Sequence, residues 1–158
     1  MAKHSPKLEA GDLLAIPLGE GRFAIGQILL PGVNFYLAVD PTTRDTLAVP
    51  DEFNARLFAW TNDAEVYRGN WRKLAGRLPV STDFPRPDFK VEIDAKLMVE
   101  SFEGQLLREL VAGQDDDLNY RTSFSPLLVQ DAVQAFNGYG PWLSSFDKMR
   151  PPESEDME

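Results

Sequence analysis

No cysteine occurs in the chain, and that absence removes disulfides, thiolate nucleophiles, zinc ribbons and iron–sulfur ligation together. Histidine is nearly as scarce: His4 is the only one among 158 residues, and it stands in a polar terminus. Hydrolytic zinc sites recruit two or three imidazoles, and Ser-His-Asp or Cys-His catalysis needs a histidine base beside its nucleophile. The composition therefore offers no metal ligands for the first class and no base for the second. No apolar run approaches the roughly 18–20 residues that span a bilayer. The opening "MAKHSPKLEA" lacks the apolar core of a signal peptide, which predicts a cytoplasmic protein without a membrane partner. There is no internal repeat and no low-complexity tract, and the glycines of "GEGRFAIG" lack the GxxxxGK[ST] order of a phosphate-cradling loop.

What the chain has in excess is negative charge. The formal net charge is −9, and Glu153, Glu155, Asp156 and Glu158 of the tail carry −4 of it. This balance does not favour a phosphate-backbone ligand, which calls for a basic face, so no nucleic-acid partner is expected, and it is compatible with a basic protein partner. A length of 158 residues fits one domain. The pattern predicts a flexible N-terminus over 1–10, a single domain over 11–150 and an acidic flexible tail over 151–158.

Within 11–150 a β-rich body precedes one helix. Leu13 to Leu18 and Arg22 to Leu30 read as strands around a Gly19-Glu20-Gly21 turn. Pro17 cannot donate to a ladder, so the first strand is expected at an edge or broken there. Phe35 to Asp40, Ala55 to Trp60, Trp71 to Leu78, Phe89 to Ile93 and Leu97 to Phe102 are further strands. "PTTRDTLAVPDEF" reads as a loop with at most a short strand, and Glu103-Gly104 as a turn. Gln105 to Val111 fits a strand or a short helix equally, because "LLREL" suits both periods. A helix is signalled by Ser125 as N-cap, Pro126 in the first turn and Gly138 beyond the C-cap. Leu128, Val129, Ala132, Val133 and Phe136 form its predicted buried face, with Gln130, Asp131 and Gln134 turned away.

Chemistry-bearing residues are few. Asp115, Asp116 and Asp117 invite the thought of a carboxylate-held Mg²⁺, but adjacent carboxylates point in different directions and no EF-hand spacing accompanies them. Trp60, Trp71, Trp142, Phe35, Tyr36, Phe58 and Phe89 read as core residues. Tyr67, Tyr120 and Tyr139 stand in turn-like contexts and read as surface anchors. "QDDDLNY" places Tyr120 beside the three aspartates, a combination suited to electrostatic steering and a hot-spot contact. Asp115, Asp116, Asp117 and Tyr120 are therefore the candidate partner-binding residues, with no catalytic residue and no metal ligand assigned.

Gly11, Asp12, Ile16, Pro17, Leu18, Gly21, Phe23 and Gly26, then Gly69, Trp71, Gly76 and Pro79, then Pro87 and Phe89, resemble the ordered motifs of the immunity protein 26 family of bacterial polymorphic toxin systems. The likeness runs from Gly11 to about Phe102. It implies a non-enzymatic domain without a cofactor that binds and neutralises a cognate toxin by occlusion. A basic toxin domain such as a nuclease would suit the charge. A small phosphotriesterase has been grouped with that family, so a small hydrolase is one alternative; a protein-binding adaptor module is another. The expected fold is α+β: a strongly bent, mainly antiparallel sheet, partly of SH3-like barrel character, with the C-terminal helix packed on it.

Overall fold

A computed structural model describes residues 7–81, 84 and 86–150. His4, Pro85, most of the predicted N-terminal arm and all of the acidic tail lie outside the described residues. The fold is α+β, with two open antiparallel sheets and a C-terminal helix. The described residues fall into two compact units: one joins those up to Ser81 with those from Ser123 onward, the other comprises those within 82–122.

The larger unit holds a five-stranded sheet in the order β4-β3-β2-β1-β5. Its strands are β1 (Asp12–Gly19), β2 (Arg22–Leu30), β3 (Asn34–Arg44), β4 (Leu57–Asn62) and β5 (Arg72–Arg77). β1 reads as the unbroken run "LLAI" because both of its faces are covered. Leu14, Ile16 and Leu18 enter the main core, while Leu13 and Ala15 enter a smaller one with Phe23, Ile25 and Leu74. Glu20 and Gly21 both have positive φ, 56° and 75°, which makes the β1–β2 turn the mirror-image kind that suits the twist of a hairpin.

Two prolines lie inside strands of this sheet. β1 is not an edge strand, contrary to one of the two expectations, but its pairing with β5 ends at Ala15, two residues before Pro17. The β1–β2 register also shifts between Pro17 and Gly19, so the predicted irregularity is present. Pro41 follows the same logic on β3, where pairing with β4 stops at Val39. Each missing N–H thus falls where one neighbour has already ended. This is also why β3 runs on to Arg44 through the stretch expected to be a loop.

Between β4 and β5 lies the single-turn helix α1 (Ala64–Tyr67). α2 (Pro126–Phe136) starts at Ser125, whose Oγ accepts from Leu128 N at 3.2 Å, and the chain leaves it through Gly138 at φ 80°. Val129, Ala132 and Val133 enter the main core. Leu128 and Phe136 do not: both are exposed, so the buried stripe is narrower than its apolar sequence suggests. Gln130 is not turned away either, because its Oε1 accepts from the buried Trp71 Nε1 at 3.1 Å. A short 3-10 helix, Ser144–Met149, adds Phe146 and Met149 to the same core.

The smaller unit carries a three-stranded antiparallel sheet, β6 (Phe89–Ile93), β7 (Lys96–Glu100) and β8 (Leu106–Glu109), in that order. The ambiguous "LLREL" segment is therefore a strand. Phe102 is buried beside Phe84 and Phe89, with ring centroids 6.0 and 6.3 Å away. The guanidinium of Arg121 lies 4.4 Å from the Phe89 ring centroid.

Candidate functional site

Charge divides between the two units very unevenly. Residues 82–122 hold ten Asp or Glu against five Lys or Arg, a formal −5 of the chain's −9. The tail holds −4, and the remaining eleven acidic and eleven basic residues cancel. The small unit is thus the acidic body of the protein, and the four predicted partner-binding residues all belong to it.

Those four residues are placed differently from one another. Asp115 is buried, and its carboxylate takes a two-pronged grip from Arg108, with Nη1 to Oδ2 at 2.6 Å and Nη2 to Oδ1 at 2.7 Å. The amide of Val111 also donates to Oδ2, at 2.7 Å. The Arg108 hydrogen bonds first, and the Val111 amide second, hold the Asp115 carboxyl down at a pKa of about 2. Asp115 therefore does not present its charge to a partner; it fastens the loop that follows β8. Asp116 is exposed and accepts from Gly113 N at 2.9 Å, and Asp117 is exposed.

Tyr120 is half exposed at the opposite side of the small sheet. It bridges to Lys90 of β6, and the Lys90 ammonium stands 4.7 Å from its ring centroid. Asp115 is tied to β8 and Tyr120 to β6, so the segment between them crosses two strand spacings, about 10 Å. The aspartates and the tyrosine are thus not one contact cluster, although they are close in sequence. Sequence reasoning also missed the exposed apolar residues of this unit: Ile93, Leu97, Leu106, Leu107 and Val111 are each more than a third exposed. The signal was present in "LLREL", whose two adjacent leucines cannot both face inward from a strand.

The larger unit offers one further concavity, about 550 Å³, lined by Thr42 to Thr46 and Ala48 to Asp51. Behind it the buried Asp40 accepts from Thr42 N, Asn54 N and Arg44 Nη2 at 3.0 to 3.1 Å, which shapes the loop. Among the described residues no three His, Cys, Asp or Glu side chains come together in a way that could hold a metal ion. No helix among them is long and apolar enough to cross a membrane.

No family model, curated protein or solved structure matches the chain.

Gly11, Asp12, Gly26 and Gly76, singled out in the sequence, have structural roles. Gly11 has φ 92°, and a Cβ there would meet Leu78 O at 2.8 Å. Asp12 is fully buried and accepts from Glu9 N at 2.8 Å and Arg77 Nε at 2.6 Å. At Gly26 a Cβ would meet Leu37 Cδ1 at 2.9 Å, and at Gly76 it would meet Val49 Cγ2 at 2.5 Å. These positions set how strands and loops approach one another; they are not a surface.

Proposed function

We propose that the protein is a non-enzymatic immunity-type protein that binds a basic toxin domain and neutralises it by occlusion, using the unit formed by 82–122. The observation that carries this reading is the concentration of the net negative charge of residues 1–150 in 41 residues that also expose six large apolar side chains. Exposed apolar surface rimmed by charge of one sign marks a protein-docking surface, since charge steers encounter and desolvated apolar contacts hold the complex. The likeness of the Gly11 to Phe102 motifs to immunity protein 26 supplies the toxin as the partner class.

The test is capture of the tagged protein from its native host, identification of what stays bound in stoichiometric amount, and co-expression of the two. The reading expects a basic protein whose expression alone arrests growth and whose toxicity this chain relieves. A partner that is harmless when expressed alone would favour the adaptor alternative. A bait that returns no stoichiometric partner would overturn the reading.

A further inference from the structure

We propose that the free edge of β8 accepts an extended, basic strand of the partner, so that binding proceeds by adding a fourth strand to the small sheet. This rests on the protein-binding reading above and names how the contact is made. Among the described residues no strand pairs with β8 on the side away from β7. β8 is held to β7 at both ends, by Leu110 N to Leu97 O at 2.9 Å and Ser101 N to Gln105 O at 2.8 Å. In that alternation Glu109, opposite Met98, turns its amide and carbonyl away from β7. The Glu109 carbonyl takes one bond from Arg108 Nη1 at 3.3 Å and keeps capacity for a second.

Exposed edges are usually guarded by an outward lysine, a proline or inward-pointing charge. β8 is short, bulged and carries Glu109, but it has neither a lysine nor a proline. Its one cation, Arg108, is drawn to Asp115, and Leu106 and Leu107 are each 49% exposed. Leu107 has no opposite residue, since Leu106 faces Glu100 and Arg108 faces Val99; it is the extra residue of a bulge. A bulge that offers a leucine gives an incoming strand an apolar foothold beside the free backbone groups.

Charge selects the occupant. Glu109 lies on the edge strand itself, and Asp115 fastens the following loop to β8 so that the exposed Asp116 and Asp117 come after it. A second copy of this chain would bring the same carboxylates against these, at a net charge of −9 per copy. A strand with lysine or arginine on one face and apolar residues on the other would satisfy both the carboxylates and the leucines.

The experiment uses the full chain, isotopically labelled, titrated with an end-capped octapeptide of alternating lysine and valine. A second octapeptide is identical except for N-methylation at alternate amides, which removes donors while keeping charge. The proposal expects the first to shift the amides of Leu106 and Glu109, the two residues of non-hydrogen-bonded pairs with β7, before others, and the second to bind about tenfold more weakly. Equal binding of both, or shifts confined to residues 113–117, would overturn strand addition and leave the acidic-surface reading standing. No binding by either would also overturn it, and the toxin-binding reading would then be judged by the capture experiment alone. Leu107→Glu separates the contact from simple charge: strand addition on an apolar foothold predicts weaker binding of the cationic peptide, whereas charge alone predicts tighter binding. Concentration-dependent dimerisation that shifts the same amides without peptide would overturn the basic strand as occupant.

Discussion

Arg108 and Asp115, seven residues apart, form a two-pronged ion pair that closes the loop after β8, with both N···O distances below 2.8 Å. The carboxyl of Asp115 sits at about 2, below the roughly 3.9 of an unfolded aspartate. A depressed pKa of this kind supports the fold above the unfolded value, and the support is lost as pH falls from about 4 through 2. A carboxyl titration followed by NMR should place the Asp115 midpoint near 2 in the parent. Arg108→Met should move that midpoint upward and speed hydrogen exchange at the Val111 amide. An unmoved midpoint would show that the pair does not hold the loop.

The β6–β7 turn is strained by its second residue. Asp94 and Ala95 have φ of 51° and 67°, and Ala95 is exposed, with a Cβ that this left-handed backbone tolerates poorly. Ala95→Gly should stabilise the protein by about 1 kcal/mol, since an Asp-Gly pair suits this mirror-image turn best. Chemical denaturation of the two proteins side by side checks it, and an unchanged or lower midpoint would refute it.

The limits of the sequence as a guide are visible in particular residues. The first hairpin was legible because Gly19 and Gly21 punctuate two apolar runs, and α2 because Ser125, Pro126 and Gly138 mark its ends. The end of β3 was hard to read because the stretch from Pro41 has no regular pattern; Pro41 is tolerated there because β4 pairing ends at Val39. Gln130 looked solvent-facing because its partner, Trp71, is 59 residues away. Nothing in "DDD" says which carboxylate turns inward. That choice is made by Arg108, whose place opposite Val99 depends on a strand assignment that periodicity left open.

Tyr36 should make stability fall at high pH. It is 7% exposed on β3, beside Phe58 and Trp60, and burial pushes its phenol up to about 12. An unfolded tyrosine ionises near 10. Between these values the folded state keeps a proton that the unfolded state releases, so stability drops as pH rises through 10 to 12, by about 3 kcal/mol at most. Urea midpoints measured from pH 9 to 11.5 should decline, and Tyr36→Phe should flatten the decline. An equal slope in both proteins would assign the alkaline loss elsewhere.

Thr61 lies fully buried on β4, and its hydroxyl has no hydrogen-bond partner among the described residues. Thr61→Val replaces that hydroxyl by a methyl of similar size and should stabilise by about 1 kcal/mol. A loss of stability instead would indicate an ordered water on the hydroxyl, which a high-resolution crystal structure would display.

The Gly11-Asp12 pair stands at the start of β1, and its geometry assigns it to architecture. Gly11 N donates to Ile28 O at 2.8 Å and Gly11 O accepts from Leu78 N at 3.2 Å, so this residue joins β2 to the chain just beyond β5. A side chain there meets both an unfavourable φ of 92° and the Leu78 carbonyl. Gly11→Ala should therefore cost about 2 kcal/mol or more. If the toxin contact lies on 82–122, the affinity of the captured partner should be unchanged at temperatures where the variant remains folded. A variant of parent-like stability that loses the partner would reverse that assignment, because it would put the Gly11 region itself in the interface.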